Sequence, residues 1–159
     1  MEFNAPWSDT LRLMSLGASA VVLLAAVLAT VKRQSWIRIT AIVVAAGFLA
    51  GSWGFAPGGY RVDSGQVTVR RPFSDVGIAR QAIRDARPFD DADSAGMTRT
   101  AGNGGLFGYY GEYKSDKLGA HVWYVTDMSK RVVLDTVDGA VVVSPDDPEK
   151  FIKAVRAPE

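Results

Sequence analysis

The stretch Arg131-Val-Val-Leu-Asp-Thr-Val-Asp-Gly-Ala-Val-Val-Val-Ser-Pro-Asp-Asp-Pro-Glu-Lys-Phe-Ile152 decides the fold. Two short runs rich in β-branched residues, Arg131–Val137 and Ala140–Ser144, flank Asp138-Gly139. A two-residue type I′ turn needs positive φ at both central positions, and Asp-Gly supplies it, so the runs pair as a β-hairpin. Asp147 then offers a side-chain acceptor to the first turn of a helix, and Pro148 fits the first helical position, where no N–H is needed. Phe151, Ile152 and Val155 give a helix over about 148–156 one apolar face. Lys150, Lys153 and Arg156 suit the negative end of its dipole.

Upstream, Tyr109–Lys114 and Ala120–Thr126 read as two more strands around the connection Ser115–Gly119. Tyr60–Val62 and Gln66–Arg71 flank the turn Asp63-Ser64-Gly65, and Val67 and Val69 alternate with polar neighbours as a half-buried strand requires. Ser74–Ala79 is a short strand candidate and Arg80–Ala86 a turn of helix. Residues 88–105, rich in Asp, Ser, Gly and Ala, read as a loop. Six or seven short strands and one helix make a small antiparallel barrel or sandwich, with the helix over an open end or edge.

The N-terminal third is different in kind. Of 159 residues, the first 56 hold six charges (Glu2, Asp9, Arg12, Lys32, Arg33, Arg38), a net +2, while residues 57–159 carry 14 basic and 15 acidic groups. Leu13–Val31 and Ile39–Ala56 are free of charge, near the roughly 20 residues that span a hydrocarbon core. Trp7, Trp36 and Trp53 sit near their ends, where an interfacial aromatic belt would place them. The acidic leader lacks the basic region of a cleaved signal peptide. Two transmembrane helices follow, about 11–31 and 37–56, which places the chain in a cell membrane. Lys32, Arg33 and Arg38 crowd the connector, so the positive-inside rule puts it in the cytoplasm and the C-terminal domain on the extracytoplasmic side. Gly47 and Gly51, and Ala25 and Ala29, have the small-residue spacing that lets helices approach closely. The stripes pack the two helices together, with homo-oligomerisation as the alternative.

The run Gly104-Gly-Leu-Phe-Gly-Tyr-Tyr-Gly111, the strand His121-Val-Trp-Tyr-Val-Thr126, then Val132-Val-Leu-Asp-Thr136 and Gly139 to Ile152 together resemble bacterial pleckstrin-homology-like (PH-like) domains found beside transmembrane helices. The resemblance covers about residues 60–157 and implies a seven-stranded barrel closed by the C-terminal helix. The expected fold class is an N-terminal transmembrane α-hairpin in residues 1–56 plus an all-β PH-like barrel, capped by a C-terminal helix, in residues 57–159.

The domain's near-neutral charge provides no field to gather nucleic acid. Zero cysteines excludes disulfides, thiolate catalysis and Cys-based zinc sites. His121 is the only histidine and lies on a strand face with Trp123 and Val125; no G-x-S-x-G elbow accompanies it, so it reads as structural and no catalytic residue is assigned. Asp90-Asp91-Ala-Asp93 resembles the start of a calcium loop, but Ala95 and Gly102 fall where an EF-hand needs oxygen ligands, so it reads as a solvated acidic loop. The glycines from Gly102 to Gly111 lack the Gly-Lys-Ser/Thr of a phosphate loop. No metal site or cofactor is expected. Among the basic residues, Arg70, Arg71 and Arg80 are the candidates for an anionic ligand or lipid head group. The expected function is a membrane-anchored, non-enzymatic binding or assembly module for a protein or peptide partner; the alternative is a lipid head-group sensor.

Overall fold

The computed structural model describes residues 1–28, 30–31 and 35–157. In chain order its elements are β1 (Glu2–Asn4), α1 (Asp9–Leu28), α2 (Ser35–Gly54), β2 (Gly59–Val62), β3 (Gln66–Arg70), β4 (Val76–Ala79) and β5 (Ile83–Pro88). There follow β6 (Thr98–Gly104), β7 (Tyr109–Ser115), β8 (Gly119–Val125), β9 (Val132–Thr136), β10 (Gly139–Val143) and α3 (Pro148–Arg156). The strands form two sheets, ordered β1-β2-β3-β4 and β5-β9-β10-β8-β7-β6. Among the described residues no ladder joins them, so the expected barrel does not close. The chain changes sheet at a 3-10 turn, Arg80–Ala82, between β4 and β5.

Two segments differ from expectation. Arg80–Ala86 is helical only to Ala82 and then enters β5, whose bulge between Ile83 and Asp85 breaks the alternation. Residues 88–105 hold a 3-10 turn, Asp91–Ser94, and the seven-residue β6. Almost every β6 residue is exposed, so no apolar period marks it as a strand. The second sheet is also not wholly antiparallel. After β8 the chain turns at Asp127–Lys130, where Asp127 Oδ1 accepts from the Ser129 N–H at 2.9 Å, and skips one place in the sheet before β9. The Asp138-Gly139 turn then sends β10 back into the gap, parallel to β8.

That central position explains the unbroken apolar runs of β9 and β10. Leu134, Val132 and Val143 face the four-stranded sheet, where they meet Tyr60, Val67, Val69 and, from α3, Phe151. Val133 and Val142 face the other way with Trp123 and Tyr113, under a cover of Phe89, Met97 and Leu118. Strands buried on both faces carry unbroken apolar runs. At α3, Asp147 caps the helix by accepting from the Lys150 N–H at 3.0 Å, and Pro148 begins it, as expected.

The two N-terminal helices are long and apolar enough to cross a membrane. Ser8 starts α1: its Oγ accepts from the Leu11 N–H at 3.2 Å and its carbonyl from the Arg12 N–H at 3.0 Å. Along α1 the buried and half-buried positions Leu11, Ser15, Ser19, Val22 and Ala26 fall on one face, and along α2 Ile37, Ala41, Ala45, Leu49 and Ser52 do, while Gly54 at the end of α2 is covered by Phe73. The seam therefore uses Ala41 and Ala45. Gly47 and Ala25 are exposed, a Cβ at Gly47 or Gly51 would meet nothing within 4 Å, and Ala29 lies outside the described residues.

β1 is the element that ties helices to sheets. Asn4 pairs with Gly59, Phe3 with Tyr60 and Glu2 with Arg61, so the leader before α1 and the strand after α2 lie side by side. Phe3 is buried, its ring edge-on to Phe151 at 5.1 Å.

Candidate functional site

Several segments converge where the helical pair meets the sheets. The β6–β7 connection reaches α1: the Phe107 N–H donates to Ser15 Oγ at 2.9 Å, and its ring lies 6.0 Å from that of Trp7. Asn103 Oδ1 accepts from the Leu106 N–H at 3.0 Å and holds the turn in shape. Phe107 takes φ +63°, and the glycines around it supply the other left-handed positions. Gly102 and Gly111 face each other across this β-hairpin, and a Cβ on either would strike the partner strand's backbone.

The Tyr110 hydroxyl donates to the Ser52 carbonyl on α2 at 2.6 Å and accepts from Asn103 Nδ2 at 3.1 Å. Burial raises its pKa, which keeps the proton that the first bond needs. Between α2 and the β6–β7 hairpin lies a cleft of about 510 Å³. Gly47 and Gly51 floor it, Phe48, Phe55 and Leu106 wall it, and Asn103 and Tyr110 bound its polar end.

On the other flank the Phe73 N–H donates to the Gly54 carbonyl at 3.0 Å, and the Phe73 ring stands edge-on to Phe55 at 5.7 Å. Arg71 lies over this cluster, its guanidinium carbon 5.6 Å from the Phe55 centroid and 5.7 Å from that of Tyr124. Its Nε and Nη2 donate to Ser74 at 2.6 and 3.0 Å.

The candidate arginines part company. Arg70 and Arg71 share a recess of about 350 Å³ with Gly58, Pro72 and Asp75, and Arg70 Nη1 lies 3.8 Å from the Glu2 carboxylate. Arg80 instead closes the end of α3, donating to the carbonyls of Ala154 at 2.9 Å, Val155 at 3.0 Å and Ala157. Ala79 pairs with Gln66, so Arg80 follows the opposite end of β3 from Arg70, about 14 Å away at strand rise.

The acidic loop is a brace. Asp93 is fully buried, its carboxylate accepting from Arg87 at 2.7 and 3.0 Å, from the Asp90 N–H at 2.7 Å and paired with Lys117 at 3.0 Å. Asp90 and Asp93 form a reciprocal capping box on the 3-10 turn. Among the described residues no group of three or more His, Asp or Glu could hold a metal ion. His121 is buried, stacked on Tyr113, with Nδ1 2.9 Å from the Gly119 carbonyl.

β6 is the open edge of the six-stranded sheet. Among the described residues it pairs with β7 alone, whereas α3 packs against the opposite edge strand, β5, with Arg156 bonded to Asp85 at 2.8 Å.

A family model for the bacterial PH domain matches residues 58–158. The chain belongs to that family. Comparison with curated proteins and with solved structures returned no match. A PH domain is generally a non-catalytic binding module. Here the PH domain takes a strand, β1, from outside the matched residues. Sequence reading missed Asn103, Leu106, Phe107 and Tyr110 as a unit. The available signal was Leu106-Phe107 set among glycines, two large apolar residues at the tip of a β-hairpin.

Proposed function

We propose that the chain is a membrane-anchored, non-enzymatic binding module whose PH domain takes a protein or peptide partner as an added strand along β6. The observation that carries this is the edge itself: seven residues long, exposed along nearly all its length and laddered on one side only. Such an edge leaves backbone donors and acceptors for an extended peptide. The other free edges, β1 with three residues and β4 with four, are shorter. Membrane anchoring draws support from the length and apolarity of α1 and α2 and from Trp53, Phe55 and Phe73, exposed aromatic residues beside the end of α2. Burial of the only histidine supports the non-enzymatic reading.

The test is site-specific photo-crosslinking of the full chain in membranes, with the probe at Thr98 or Thr100 on β6 and a control at Ser64 in the β2–β3 turn. A crosslinked partner is expected from β6 and not from Ser64; equal capture at both places would sink the proposal. The head-group reading draws on Arg70 and Arg71 next to the end of α2, without Arg80.

A further inference from the structure

We infer that the segment taken along β6 carries a lysine or arginine beside Ala101, whose side chain crosses Ala101 to the Glu112 carboxylate. The inference rests on the strand addition proposed above and supplies the chemistry of the partner. One row of cross-strand neighbours runs over the face of the six-stranded sheet that looks toward the four-stranded one. It passes from Leu134 through Val141, Val122 and Glu112 to Ala101 at the open edge. Leu134 is buried, the two valines are half-buried, and Glu112 and Ala101 are exposed. Over the valines lies a cleft of about 440 Å³, bordered by Glu112, Lys114 and Asp138. The Glu112 carbonyl accepts from the Thr100 hydroxyl at 3.1 Å, but its carboxylate makes no hydrogen bond or ion pair among the described residues.

Length, charge and floor select the same side chain. An added strand lies one spacing beyond Ala101 and two from β7, about 10 Å from the Glu112 backbone. Ala101 leaves that path open, and only a long side chain covers it. A long apolar one would desolvate the carboxylate without pairing it. A lysine or arginine lays its methylenes over Ala101 toward Val122 and sets its cation on Glu112. Lys114 is outnumbered at the cleft by Glu112 and Asp138, and it stands one pair further along, opposite Thr98. A second copy of β6 does not supply the cation. It offers Thr98, Ala101 and Asn103 to this face, while its Arg99 pairs with Tyr113 and lies on the other. The occupant is therefore a segment of different sequence.

The chain has no cysteine, so a single introduced thiol is unique. Thr98→Cys on β6 and Ser64→Cys in the β2–β3 turn are made in the full chain in detergent. Each is equilibrated in a thiol–disulfide buffer with the peptides Xaa-Thr-Cys-Thr-Xaa, Xaa being Arg, Lys, Ala or Glu. Intact mass spectrometry reads the tethered fraction, and position 64 sets the background. Thr98 and Ala101 stand opposite Lys114 and Glu112, which are two residues apart on β7. A peptide tethered at position 98 therefore puts one Xaa beside Ala101 in either strand direction. There the Arg and Lys peptides should tether about fivefold better than the Ala peptide, the upper end for an exposed ion pair, and the Glu peptide worst. Glu112→Gln should abolish the preference and Glu112→Lys reverse it. Glu112 is exposed and its carboxylate unbonded, so neither change threatens the fold. Equal tethering of all four peptides at position 98, above the background, overturns the basic side chain and leaves strand addition standing. A preference for Arg and Lys that survives Glu112→Gln overturns it as well. Tethering at position 98 no better than at position 64 overturns both proposals.

Discussion

Asp93 shows how one buried carboxylate organises the outer layer of the six-stranded sheet. The Arg87 hydrogen bonds hold its pKa well below the 3.8 of an ordinary aspartate, against the opposing effect of burial. Arg87 projects from β5, Lys117 from the β7–β8 turn and the Asp90 N–H from the loop, so one side chain ties three segments over Trp123 and Phe89. A depressed folded pKa means the carboxylate's contribution is fully present above the unfolded value and is lost as pH falls through and below about 4. Asp93→Asn should destabilise the domain by about 3 kcal/mol at neutral pH, since it leaves Arg87 and Lys117 without their buried partner. Urea unfolding from pH 6 down to pH 2 should show a flatter pH dependence in the variant than in the unmodified chain. Parallel profiles would assign the acid sensitivity to other groups.

At the scale of elements, β1 contributes more than its three residues suggest. Phe3 enters the core between Tyr60 and Phe151, and the Val62 N–H donates to the Met1 carbonyl at 2.8 Å, beyond the last paired residue. Phe3→Ala should cost about 3 kcal/mol, the usual scale for truncating a buried aromatic residue; a thermal melt in detergent reads it, and an unchanged midpoint would mean β1 is ornamental. Nothing in Glu2-Phe3-Asn4 declares a strand, because its partner lies beyond two helices. β6 was hidden for the opposite reason: exposed on both faces, it carries no apolar period. Elements with local signatures were legible. The Asp138-Gly139 hairpin, the Asp147–Pro148 helix start and the two apolar helices all announce themselves within a few residues. The parallel β8–β10 pairing was not, since order within a sheet depends on contacts no short window contains. Of the junction, Arg71 was visible as charge; the carbonyl of Ser52 and the backbone of Phe107 were not, because main-chain groups leave no trace in composition.

Taken whole, the molecule is a PH domain preceded by a helical pair, with a strand from before the pair, β1, added beside its first strand, β2. Asn4 and Gly59 are direct partners in the β1–β2 ladder, so α1 and α2 leave and return at the same point of the sheet. A strand pair that close can be joined by two residues in a type I′ turn. Joining Asn4 to Gly59 through Asn-Gly should therefore yield a PH domain that is soluble without detergent and melts cooperatively. A chain starting at Gly58 provides the comparison: it lacks β1, uncovers Tyr60 and leaves β2 as a raw edge. Exposed edges of this sort promote association. The shortened chain should stay monomeric and melt several degrees above the Gly58 chain, by the stability expected of one buried aromatic residue in a domain of this size. Leu106 and Phe107, which lose Trp7 and Ser15 in both forms, affect the comparison equally. Equal melting temperatures would show that β1 gives the sheet no stability. A higher midpoint for the joined chain assigns that stability to the β1–β2 ladder itself, the same ladder that in the full chain brings the start of α1 and the end of α2 to one point of the sheet.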